Sequence, residues 1–191
     1  MTDSQRQALN YLGYRGSDGD AQILAKISEA QEELIKACGE VKSVTGIWSC
    51  TVERGAVNVG GKCIRSLALA DHVAGAKFIC LFAVTLGVQA DMLISRYSVT
   101  DMGRSVITDA TASVMVNEYC RSISDEVAAD PTLAGLRATK RFSPGFGDFG
   151  LRYQRDVLSL LNAGRRIGLT VTEGNMLVPT KSVTAAIGFV E

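Results

Sequence analysis

The stretch Arg137-Ala-Thr-Lys-Arg-Phe-Ser-Pro-Gly-Phe-Gly-Asp-Phe-Gly150 decides between two folds. Gly145, Gly147 and Gly150 spell G-x-G-x-x-G, the pattern with which a doubly wound α/β domain cradles a dinucleotide. That use needs a buried strand immediately upstream to deliver the glycines to the start of a helix. Here the upstream residues are polar and end in Pro144, and no second βαβ half follows. The glycines therefore serve a turn, and the doubly wound fold is set aside.

Downstream of this loop, Asp148 is placed to cap a helix carrying Leu151, Val157, Leu158 and Leu161, which stops near Gly164. A β-rich tail follows over 167–171, 176–178 and 182–190. Upstream lies a long helical pattern over 101–128, with Val106, Ala110 and Val114 on one stripe, and a shorter one over 89–97. Phe78-Ile-Cys-Leu-Phe-Ala-Val84 is apolar throughout and reads as a buried strand, with a short helix over 66–73 before it. Val44, Trp48, Cys50 and Val52 alternate onto one strand face. Arg54-Gly55 turns the chain into Ala56-Val-Asn-Val59, and Gly60-Gly61 ends this hairpin. Asp20 opens a helix with Ile23, Ile27, Leu34 and Cys38 on its apolar side, and Gly39 stops it. Strands thus gather at both ends of a helical middle. That order predicts one α+β domain over residues 1–191, with a twisted, mainly antiparallel sheet and flanking helices.

Twenty basic and twenty acidic residues cancel, so nothing supplies the cationic field of a nucleic-acid binder, and a membrane-surface role is equally unsupported. The longest mainly apolar run, 78–88, is short of the ~20 residues that span a bilayer. Met1-Thr-Asp-Ser-Gln-Arg6 lacks the apolar core of a signal peptide, so a cytoplasmic protein is expected. Cys38, Cys50, Cys63, Cys80 and Cys120 are scattered without a C-x-x-C pair and read as free thiols. The lone His72, taken for a helix-surface or capping residue, excludes a histidine-rich metal site. No nucleophile–base pair stands out, and no catalytic residue is assigned.

The loop nevertheless carries binding chemistry. Pro144-Gly145 makes a turn, glycines let main-chain groups approach a ligand, and Arg141 offers a planar cationic fork for a carboxylate. Residue physics alone leaves the plainer alternative open, a tight turn with a surface arginine. Glu118, near the apolar stripe of the long helix, is on the same grounds a solvated helix residue as readily as a ligand.

Arg141-Phe-Ser-Pro-Gly145-Phe146 resembles the R-x-x-x-G-Tyr motif of the activation domain of cobalamin-dependent methionine synthase. Leu158-Ser-Leu-Leu-Asn-Ala-Gly-Arg-Arg-Ile-Gly-Leu169, Thr172-Glu-Gly-Asn-Met-Leu-Val-Pro179 and Thr180-Lys-Ser-Val-Thr-Ala-Ala-Ile-Gly188 continue a succession similar to short, stand-alone members of that family. Phe82-Ala-Val-Thr-Leu-Gly87 adds to it. The resemblance implies an S-adenosylmethionine site. It assigns Arg141 to the ligand's carboxylate, Ser143, Pro144 and Gly145 to main-chain contacts at the turn, and Glu118 to the ligand's positive charge. Phe146 stands where the family has tyrosine; its ring can stack, but the phenol hydrogen bond is gone.

The resemblance further implies a module that supports reductive methylation of cobalamin. The partner would be a cobalamin-binding methionine synthase or corrinoid protein acting in trans, since the chain has no room for the other synthase domains, with a flavodoxin-type electron donor. Two other readings are an interaction protein that keeps the fold without the ligand, and an independent methyltransferase with its own acceptor.

Overall fold

The computed structural model describes residues 1–14 and 20–191. The apolar run at 78–84 lies within β4 (Ala76–Thr85), and every residue from Ile79 to Thr85 is buried. A strand buried on both faces must be central, and β4 pairs antiparallel with β1 (Lys42–Glu53) on one side and β8 (Ser182–Val190) on the other. The hairpin reading holds: β1 turns at Arg54-Gly55 into β2 (Ala56–Val59), and a further turn at Gly60-Gly61 adds β3 (Lys62–Arg65). At the opposite edge, β5 (Arg137–Ala138) pairs with the end of β8. The order is β3-β2-β1-β4-β8-β5, antiparallel throughout, with a separate ribbon of β6 (Thr170–Val171) and β7 (Leu177–Val178).

Alternation along the central strands feeds two cores. Cys80, Phe82 and Val84 of β4, with Ala185, Ile187 and Phe189 of β8, face α2 (Ala21–Cys38), α4 (Val88–Thr100) and α5 (Met102–Ala128). Ile79, Leu81, Ala83 and Ala186 face the other way. They meet α3 (Leu67–His72), α6 (Gln154–Leu161) and α7 (Ala163–Ile167). Each such Leu, Ile or Phe side chain, fully removed from water, stabilises by ~1.5–3 kcal/mol. A third cluster, with Leu9, Ile27, Ile107 and Val114, fastens α1 (Asp3–Tyr11) and α2 to α5. The expected α+β domain with a mainly antiparallel sheet and flanking helices is the observed fold.

Helix ends follow the capping residues. Asp20 Oδ1 accepts from Ile23 N at 2.8 Å, Gly39 closes α2 at φ 62, and Asp101 Oδ1 accepts from Arg104 N at 3.0 Å to start α5. Three expectations are corrected. Asp148 does not cap its own helix: a 3₁₀ turn over Leu151–Tyr153 intervenes, and α6 begins at Gln154. Val106 is 50% exposed and Ile107 takes the inward place, because the helix is buried on the side one residue further round. The strand expected over 167–171 begins only at Thr170: Ile167 ends helix α7, Gly168 closes it at φ 70, and β6 keeps Thr170 and Val171. Among the described residues no helix is long and apolar enough to cross a membrane.

Candidate functional site

The site is built on the free edge of β8. After β5 the chain runs beside that edge: Thr139 N donates to Gly188 O at 2.8 Å, and Phe142 and Ala186 exchange two main-chain bonds of 2.8 Å. Antiparallel pairing repeats every second residue, so Thr184 presents its main-chain N–H and C=O to the same edge. Its would-be partner is Pro144, which has no N–H to give. The ladder stops there and the chain turns away. Gly145, at φ 105, donates to Phe149 O at 2.6 Å and closes the turn.

What holds the turn is Asp148. Its carboxylate accepts from Ser66 Oγ at 2.6 Å, Leu67 N at 2.7 Å and Ala68 N at 2.9 Å, capping α3 from 80 residues away in sequence. These donors, the Ser66 hydroxyl foremost, hold its carboxyl below the usual range. Gly147 fits close beneath: at φ 56, a Cβ there would stand 2.7 Å from Ala68 Cβ. Phe142 stacks on His72 at 4.7 Å and on the buried Phe149 at 6.2 Å. His72, on the surface of α3, meets Lys140 O through Nε2 at 2.6 Å. The loop is thus fastened at both ends.

Between the turn, α5, α6 and the start of β8 lies a pocket of about 310 Å³. Arg141 enters it from the α5 side, where its guanidinium donates to Asn117 Oδ1 at 2.8 Å. Asn117 is itself oriented by donation from Nδ2 to Ser113 O at 2.8 Å and to Tyr11 Oη at 3.1 Å. Ser143, Pro144 and Phe146 line the pocket from the loop, Ser182, Val183 and Thr184 from β8, Leu177 from β7, and Gln154 from α6. Arg141 is the one charged residue of this lining. Burial pushes the neighbouring Cys120 thiol up to about 11, against the pull of the Arg141 guanidinium, so that sulfur stays protonated and unreactive at neutral pH.

The structure brings Arg141, Ser143, Pro144 and Phe146 together at this pocket, with Gly145 at the turn behind it. Phe146 is 60% exposed at the rim. It does not bring Glu118 there. A single residue step rotates a helix position by about 100°, and that step puts Asn117 in the pocket and Glu118 round the side of α5. There Glu118 accepts from Ser4 Oγ and lines a separate depression with Gln31, Ile35 and Tyr119. Asn117, Gln154, Leu177 and the β8 residues escaped the sequence reading. Leu177 had a signal inside the Thr172–Pro179 stretch quoted above, and Ser182, Val183 and Thr184 inside the Thr180–Gly188 stretch.

Chemically, the pocket has the groups to hold a ligand. Its lining holds a cation, two amides, hydroxyls and apolar walls, without the imidazole, thiol or carboxyl that moves protons. Among the described residues no group of three His, Cys, Asp or Glu stands where it could hold a metal ion.

Comparison of the sequence with family models and with curated proteins finds no match. Among solved structures, the chain is similar to the MetH reactivation domain bound to AdoHcy. The TM-score is 0.68 at 12% sequence identity, over 96% of this chain and 74% of that one. At that identity the likeness shows the fold, a mixed α/β domain with an open, mainly antiparallel sheet.

Proposed function

We propose that this protein binds S-adenosylmethionine in the β8-edge pocket and supports reductive methylation of a cobalamin held by a methionine synthase or related corrinoid protein. The observation that carries the reading is the Arg141 guanidinium, fixed by Asn117 as the only charge in a pocket with otherwise neutral walls. A carboxylate-bearing ligand answers that cation. The solved structure with the same fold binds AdoHcy, the form left once the methyl group is gone, and this supports the ligand class.

The residues present fit such a ligand. Arg141, held in place by Asn117, would take its carboxylate, and Thr184 offers a main-chain donor and acceptor at the strand edge. Pro144, Leu177 and Val183 give apolar surface for a flat ring. When bound, S-adenosylmethionine supplies an electrophilic methyl group on its sulfonium. The chain's own contribution is position: the Asp148 latch and the Phe142 stack fix the loop, so the ligand's orientation is set before a partner arrives. The lining holds no acid to offset the ligand's positive charge, so the reading includes no role for Glu118.

A second reading, a fold kept for protein contacts alone, draws on Phe146, Met176 and Val178, exposed apolar residues on the loop and on the β6–β7 ribbon. Thermal melting separates the two. S-adenosylmethionine at millimolar concentration is expected to raise the melting temperature of the wild type by several degrees and that of Arg141→Ala by much less. Equal shifts in both proteins would remove Arg141 from the site, and no shift in either would favour the second reading.

A further inference from the structure

Among the described residues one buried side-chain polar atom lacks a hydrogen-bond partner, and it is Oε1 of Gln154. The residue is 6% exposed and lines the pocket. Buried carbonyls without a partner are costly, and a native one calls for an explanation. A ligand donor provides it once the carboxamide turns toward the pocket that the residue lines, because in the free protein the carbonyl oxygen is covered.

Topology says which part of the ligand that donor belongs to. Gln154 is the first residue of α6, and α6 packs on the sheet face that carries α3 and α7. Arg141 reaches the opposite face, where it bonds Asn117 of α5. The cation and the orphaned carbonyl therefore lie on opposite sides of the β8 edge. A ligand with its carboxylate on Arg141 meets Gln154 with its other end. At that end the lining adds Leu177, so the surroundings of the carbonyl are neutral and partly apolar.

We propose that Gln154 is the base-specificity determinant of the pocket, its carbonyl accepting an N–H from the exocyclic amine of an adenine ring. The inference rests on the S-adenosylmethionine reading above. A carboxamide matches the N6/N7 edge of adenine, because it offers an acceptor to the 6-amino group and a donor to N7, whereas guanine and hypoxanthine present only acceptors on that edge. Ribose hydroxyls are weaker candidates, since each can turn to donate or accept and Ser143 and Thr184 stand near to serve them.

The test compares S-adenosylhomocysteine with S-inosylhomocysteine, in which an oxo group replaces the 6-amino group, by calorimetric titration of the full chain. The wild type is expected to bind the inosyl ligand about 10- to 100-fold more weakly, the range for a buried acceptor left facing another acceptor. Gln154→Leu is expected to lower adenosyl affinity to the inosyl level and to leave inosyl affinity within about threefold. Gln154→Met, a slimmer replacement, serves if the leucine variant fails to fold. Equal wild-type affinity for the two ligands would overturn the role of Gln154 while leaving the ligand class standing, as would discrimination that survives in the variant. Absence of binding by both ligands would overturn the ligand class itself, and this inference with it.

Discussion

Replacing Gly147 by alanine tests how the binding loop is seated. Two costs add. Gly147 sits at φ 56, a conformation that costs an alanine about 1–2 kcal/mol, of which ~0.5–1 returns because alanine has less freedom in the unfolded chain. The added methyl would also lie 2.7 Å from Ala68 Cβ, about 1 Å inside ordinary carbon–carbon contact. Ala68 is in the first turn of α3, whose end is tied to Asp148, so neither side yields freely. Overpacking of this kind costs about 1–3 kcal/mol. The sum is about 2–4 kcal/mol, a fall of about 4–16 °C in melting temperature for a chain of this size.

Gly135→Ala separates the two terms. Gly135 has φ 89 with nothing within 4 Å of its would-be Cβ, so that variant bears the backbone cost alone, about 1 kcal/mol net. Calorimetric melts of the three proteins read the difference. A Gly147→Ala protein as stable as Gly135→Ala would refute the close seating of the loop on α3.

Three further outcomes follow from the same geometry. The Asp148 carboxyl has a lower pKa folded than unfolded, so its contribution is complete above about pH 4 and disappears as pH falls through the depressed value; wild type and Asp148→Asn should differ in melting temperature at neutral pH and converge in strong acid, whereas a constant gap would contradict the latch. Tyr153 Oη accepts from Arg65 N at 3.0 Å and donates to Arg65 O at 2.9 Å, so Tyr153→Phe should cost about 1–3 kcal/mol in urea unfolding, and no loss would show that water replaces both bonds. Cys63 is exposed while burial pushes Cys80 up to about 11 and Cys120 likewise to about 11; a thiol reagent should label Cys63 in the native protein and reach Cys80 and Cys120 only on unfolding, and fast native labelling of either would contradict their burial.

Much of the fold was legible because its signals are local. Asp20, Gly39, Asp101 and Ser66 mark helix ends by short-range capping, and β4 and β8 read as strands because burial on both faces leaves long apolar runs. What escaped depends on partners distant in sequence. β5 is two residues long and exists only through its pairing with β8. α1 is polar apart from Ala8 and Leu9, which find their core on α2 and α5. Asp148 before a helical pattern looks like a local cap, and only the fold reveals Ser66, Leu67 and Ala68 as its partners. At the site, the loop from Arg141 to Phe146 could be singled out by composition and resemblance. Glu118 could not be told from Asn117 without the rotation of α5, and nothing about a glutamine at a helix start announces that its carbonyl will be stranded.

The most direct test of the central claim is calorimetric titration of the purified chain with S-adenosylmethionine. The account predicts saturable binding near micromolar strength, about −8 kcal/mol, at one site per chain. No heat at millimolar ligand, together with no displacement by S-adenosylhomocysteine, would contradict it.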